Sequence, residues 1–241
     1  MMSYEDRRKP MIQLVMFPYA GSIVNPYKEW LELNDEQFEI IQIEYDGRGR
    51  RSFADRPLTW RALIDKTLKQ VLDCVDFTRE YILFGHSMGA RVVADIYKKL
   101  IARAIKQPKC LIFSGTEIFR SKSYESILSA PVKKFNQFFF QLGGIPKEVF
   151  QEVELLELVT DYLREDLVLL NQFKFNWTKQ EIGCSVLILN GTQEASSELD
   201  QWIELIGENC QQLFFQGDHF FIRNNVQEIL FAIKRKLDEI K

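Results

Sequence analysis

The 241-residue chain carries 31 basic and 34 acidic side chains, a formal net charge of -3, and 46% hydrophobic residues. That balance suits one globular unit with a sizeable core and excludes extensive disorder; the scattered charges offer no basic block for tracking nucleic acid phosphates. The charged start, Met1 to Pro10, lacks a secretory apolar stretch, and no later run approaches the roughly 20 apolar residues of a membrane span, which points to the cytoplasm. Cys74, Cys110, Cys184 and Cys210 lie too far apart for a zinc or redox pairing and read as small, reduced core residues.

Short apolar runs alternate with longer amphipathic stretches, the pattern of a mostly parallel sheet flanked by helices. The first strand is Ile12 to Phe17, followed by the loop Pro18-Tyr19-Ala20-Gly21-Ser22, and the second is Phe38 to Tyr45. Trp60, Leu63, Ile64, Leu68, Val71, Leu72 and Val75 recur at helical spacing. A third strand, Tyr81 to Phe84, leads into Gly85-His86-Ser87-Met88-Gly89 and then a helical pattern of Val92, Val93, Ile96, Tyr97 and Leu100. Cys110 to Ser114 is the fourth strand. From about Thr116 to Lys179 the rhythm breaks into a strandless stretch rich in phenylalanine, among them Phe135, Phe138, Phe139, Phe140, Phe150, Phe173 and Phe175. It reads as a helical insertion folding over the site as a lid, although any one phenylalanine is as well placed in the insertion's own core. Strands Val186 to Asn190 and Leu213 to Gln216 follow, then a helix through Val226, Ile229, Leu230, Ile233 and Leu237. The whole chain reads as one domain.

The G-x-S-x-G sequence between a strand and a helix is the nucleophile elbow of an α/β-hydrolase, a turn that projects Ser87 at a helix N-terminus. A serine hydroxyl needs a base, and the chain has two histidines. His86 is directed away from its neighbour Ser87, which leaves His219, just past the last strand, where the fold's order of Ser, acid, His places the base. The acid belongs after Val186 to Asn190: Glu194 is the first carboxylate there, and Asp200, six residues on, is its competitor from the following helix. The oxyanion needs two backbone N–H groups, one from Met88 and one from the loop after the first strand, where Ala20 is the candidate. This chemistry requires no metal and no diffusible cofactor.

These residues resemble the type II thioesterases, the free-standing editing hydrolases of polyketide and nonribosomal peptide synthesis. Five segments carry the likeness in order: Phe17 to Gly21, Gly47-Arg48-Gly49-Arg50-Arg51, Phe84 to Ala90, Leu142-Gly143-Gly144-Ile145-Pro146, and Gly217 to Phe221. The sequence departs from the family at Ser22, where a second glycine is usual, and at Gln193-Glu194, where aspartate is usual. The resemblance implies hydrolysis of acyl groups held on the phosphopantetheine arm of an acyl or peptidyl carrier protein; the chain itself is read as a monomer. Its rivals are a chain-releasing fatty-acyl thioesterase, a small-lipid esterase, and a noncatalytic carrier-binding protein on the same fold. Arg48, Arg50 and Arg51 are candidates for a basic patch at the mouth, but as loop arginines they read as solvated.

Overall fold

Runs of consecutive apolar residues, rather than alternating ones, mark strands that are covered on both faces. In the computed structural model, which describes residues 11–24, 26–33, 35–119, 123–178, 181–194 and 198–240, these runs form a single parallel sheet. Met1 to Pro10 therefore lies outside the described residues. The chain runs β1 (Ile12–Phe17), α1 (Lys28–Glu32), β2 (Phe38–Gln42), α2 (Trp60–Cys74), β3 (Tyr81–His86), α3 (Met88–Ile101) and β4 (Cys110–Ser114). It continues through α4 (Glu125–Leu128), α5 (Val132–Gln141), α6 (Lys147–Gln151), α7 (Val153–Leu170), β5 (Ser185–Gly191), α8 (Leu199–Ile206), β6 (Cys210–Phe215) and α9 (Val226–Glu239).

The strand order is β2-β1-β3-β4-β5-β6, with every pairing parallel. Strand order reverses between β1 and β3, and such a switch point opens a crevice at the strands' carboxyl ends. Period-two alternation sends Val15, Phe17, Leu83, Phe113, Val186 and Ile188 into the core shared with α2 and α3. Leu14, Met16, Ile82, Phe84, Leu187 and Leu189 face the opposite core, closed by Trp30 of α1 and by Ile229, Leu230 and Ile233 of α9. α2 begins where the Thr59 hydroxyl accepts the Ala62 N–H at 3.1 Å, an N-cap that satisfies one unpaired first-turn donor.

Three boundaries differ from the sequence reading by two residues or more. β2 stops at Gln42 rather than Tyr45, because the Glu44 N–H turns from the sheet to the Gln70 side chain at 2.8 Å. β3 runs on through Gly85 and His86, so the ladder continues up to the Ser87 turn. β6 begins at Cys210, opposite Val186; Gln211 and Gln212 on this edge strand gave no apolar signal. Of the four cysteines read as core residues only Cys110 is buried: Cys184 and Cys210 are half-buried, and Cys74 is exposed at the last turn of α2. Between β4 and β5 the described chain is helical, α4 to α7, with no strand.

Candidate active site

Ser87 occupies the single residue between β3 and α3, with φ 55° and ψ -113°. A non-glycine residue pays for that conformation, which persists only where its surroundings enforce it. Here the Ser87 N–H donates to the Ser114 carbonyl at 2.7 Å. The flanking glycines are required by close backbone approach: a Cβ on Gly85 would lie 2.2 Å from the Gly89 carbonyl, and one on Gly89 2.2 Å from the Phe17 carbonyl oxygen. The turn thus wedges α3 against the end of β1. Met88, the first residue of α3, presents an N–H with no partner one turn earlier in its helix.

The loops after β5 and β6 are stitched together. The Gln193 N–H donates to the Gly217 carbonyl at 3.0 Å, and a Cβ on Gly191 would strike the Asp218 carbonyl oxygen at 2.3 Å. This clamp brings His219 Nδ1 to 2.6 Å from Glu194 Oε1. Ser87, Glu194 and His219, which the sequence reading selected, all line one cavity, whereas Asp200 lies exposed in the first turn of α8 and does not.

His86 is fully buried on the other side of the turn, where its Nδ1 pairs with Ser114 Oγ at 2.9 Å and its ring packs on Tyr19, Phe220 and Phe221. Its ring centroid is 5.0 Å from that of His219. Burial, with the nearby charges of His219 and Arg223, holds its pKa well below the ordinary histidine value.

Tyr19 to Ser22 form the loop after β1, and Ala20 lines the cavity beside Ser87. Gly21 turns the loop with φ 77°. Ser22 follows without strain, and its hydroxyl donates back to the Tyr19 carbonyl at 2.8 Å, so the departure from glycine closes the turn. Two residues that the sequence reading did not select hold this loop. Asp166 of α7, wholly buried, accepts the Gly21 N–H at 2.7 Å and an Arg48 Nη1 bond at 2.8 Å. Arg48 is therefore not a solvated loop arginine: it is 4% exposed, and the ion pair accounts for its burial. Arg50 and Arg51 pair with Glu44 and Asp46. The available signal was Asp166 itself, a carboxylate in register with the apolar face Val159, Leu163, Leu167 and Leu170 of α7. Arg223 was missed too; it donates to the Gly143 carbonyl at 2.9 Å and to the Tyr19 hydroxyl at 3.0 Å, tying the α5–α6 turn to both loops.

The cavity encloses about 620 Å³. The α4–α7 segment supplies an apolar wall from Ile127, Phe139, Leu142, Val159, Leu163 and Leu167. The phenylalanines divide: Phe138 and Phe139 reach the cavity, while Phe135 and Phe173 are packed inside. Among the described residues no helix is long and apolar enough to cross a membrane, and no cluster of three His, Cys, Asp or Glu side chains could hold a metal ion. A serine beside helix-terminal N–H groups, an imidazole–carboxylate pair and an apolar pocket is equipment for acyl transfer.

Known proteins resemble this chain over most of its length. LgrE of Brevibacillus parabrevis, a linear gramicidin dehydrogenase by name, is 26% identical over 94% of this chain and 88% of its own length. AngT of Vibrio anguillarum, a probable anguibactin biosynthesis thioesterase, is 25% identical over 91% of this chain and 89% of its own. Among solved structures, YbtT, a type II thioesterase from the yersiniabactin NRPS/PKS pathway, superposes with a TM-score of 0.82 at 22% identity, covering 97% of this chain and 96% of that one. The thioesterase domain family model matches residues 12–237, nearly the whole chain, and the protein therefore belongs to the thioesterase family.

Proposed function

We propose that this protein is a serine-dependent type II thioesterase that removes stalled or aberrant acyl groups from the phosphopantetheine arm of acyl or peptidyl carrier proteins. The observation that carries the reading is the 2.6 Å contact between His219 Nδ1 and Glu194 Oε1 at the rim of the cavity that holds Ser87. A carboxylate can only accept, so Nδ1 is the donor, and Nε2 is left as the base.

In this scheme Nε2 of His219 takes the Ser87 proton as Oγ attacks the thioester carbonyl carbon. The oxyanion is held by the N–H groups of Met88 and Ala20. Collapse breaks the C–S bond, and His219 returns the proton to the departing thiolate, leaving an acyl-serine and free pantetheine thiol. Water then attacks the ester, gives its proton to His219, and the acid departs as Oγ is reprotonated. Glu194 keeps the imidazole in one tautomer throughout. The α4–α7 segment acts as a lid whose apolar wall receives the acyl chain.

The relatives support the pathway assignment, since AngT is named for anguibactin biosynthesis and YbtT for an NRPS/PKS pathway. The dehydrogenase name of LgrE points elsewhere, but a strained serine at a helix N-terminus serves acyl transfer and has no part in hydride transfer. A fatty-acyl chain-releasing thioesterase is the rival acting through the same residues.

The deciding experiment is hydrolysis of acyl-carrier-protein and acyl-pantetheine thioesters beside matched p-nitrophenyl esters. Preference for short or aberrant carrier-bound acyl groups is expected. Turnover confined to medium-chain fatty thioesters would favour the chain-releasing reading, and oxygen-ester turnover alone would remove the thioester assignment.

A further inference from the structure

Gly21 immediately follows the residue whose N–H faces the reacting carbonyl in the proposed scheme, and its own N–H is not solvated. It donates at 2.7 Å to Asp166, a carboxylate with no exposed surface, 145 residues away on α7. The same carboxylate receives both Nη atoms of Arg48, and Arg48 Nη1 also reaches the Ser22 carbonyl at 3.3 Å. One buried ion pair therefore grips the loop at two successive residues, on a donor and an acceptor. The guanidinium is sandwiched, its centre 5.4 Å from the Tyr45 ring centroid and 5.1 Å from that of Tyr162. One turn before Asp166, the Tyr162 hydroxyl donates to the Gly47 carbonyl at 2.7 Å, so α7 also holds the loop that supplies the arginine.

A buried ion pair rarely repays its own desolvation as stability, so its placement calls for another explanation. A planar, bidentate pair fixes direction as well as distance. Oxyanion donors work only when aimed at the position the oxygen will reach, without reorganising during reaction. The neighbouring peptide, Ala20–Gly21, is what the pair immobilises.

We infer that Asp166 and Arg48 are positioning residues for the oxyanion loop, holding the Ala20 N–H in its transition-state direction from the helix that also walls the acyl pocket. The inference rests on the proposed oxyanion role of Ala20. Because Leu163 and Leu167 of α7 line the cavity on either side of Asp166, the seating of the acyl chain and the aim of the oxyanion donor depend on one helix.

The test is the paired variant Arg48→Met/Asp166→Leu, which removes both charges together and so leaves none stranded. Rates are normalised to active sites titrated with a fluorophosphonate, and a trifluoromethyl ketone that adds to Ser87 reports binding of the tetrahedral oxyanion. A loss of kcat of about tenfold to a hundredfold is expected for thioesters and p-nitrophenyl esters alike, because weakening one donor costs part of the ~10²–10³ that its removal costs. KM should stay within threefold, and ketone affinity should fall in parallel with kcat. A folded variant with per-site kcat and ketone affinity within twofold of wild type overturns the inference. Should that variant fail to fold, Asp166→Asn takes its place: it keeps an acceptor for Gly21 but loses the charge that orients Arg48, and at least a fivefold fall in both readouts is expected, with less than twofold overturning the inference. A wild type that bound the ketone but spared thioesters would count against the proposed function alone; one that bound no ketone would refute the oxyanion loop and its positioning together.

Discussion

Glu194 and His219 stand 25 residues apart in the chain, yet their side chains meet at 2.6 Å because β5 and β6 are adjacent, in parallel register from Val186–Cys210 to Gly191–Phe215. The two loops leave the same edge of the sheet, and the Gln193 to Gly217 backbone bond holds them together.

Ser87→Ala removes the proposed nucleophile and leaves a residue smaller than serine in the same turn. Turnover of thioesters should fall by several orders of magnitude, on the order of 10⁵-fold, with the melting temperature little changed, since alanine meets the same backbone strain as serine. Steady-state rates and a thermal melt check both. Full activity in a folded Ser87→Ala protein would remove the scheme.

Glu194→Gln should cost far more than Asp200→Asn. The amide can present its NH₂ to Nδ1 and favour the wrong tautomer, a change expected to lower kcat by about 10³-fold or more. Asp200, exposed on α8, should tolerate the change within twofold. The opposite ranking in a kcat/KM comparison would transfer the acid's role.

Gly89→Ala places a Cβ 2.2 Å from the Phe17 carbonyl oxygen, where only backbone movement can relieve the clash. A loss of about 1–3 kcal/mol in stability is expected from such overpacking. The shift separates α3 from β1 and with them the two proposed oxyanion donors, so activity should fall more than stability does. Denaturant unfolding and active-site-normalised rates test the two parts separately.

The pH dependence of stability should carry the signature of His86. Its folded pKa lies well below the ordinary value, through burial first and then the charges of His219 and Arg223. Below about pH 6.5 the unfolded chain binds a proton that the folded one refuses, so His86 stabilises fully above that pH. Its contribution is lost at up to about 1.4 kcal/mol per pH unit as the pH falls toward the folded pKa. His86→Gln should flatten unfolding free energy against pH over that interval; an unchanged slope would show that other groups are responsible.

What the sequence alone determined is whatever local chemistry encodes. The alternating runs give a parallel sheet, the glycines of Gly85 to Gly89 give the turn, and the scarcity of histidine isolates His219. Glu194, singled out as the first carboxylate after the strand Val186 to Asn190, is the carboxylate that meets His219. What tertiary structure decided is what depends on pairs distant in the chain. Arg48 and Asp166 are 118 residues apart, and read separately they are a loop arginine and a helix acid. The distinction between solvated charge and buried strut does not exist until β1, the loop after β2, and α7 are brought together, because it is desolvation that makes each charge require the other. The division of the phenylalanines into core and cavity wall has the same origin: hydrophobicity specifies that they leave water, and only packing determines what they face.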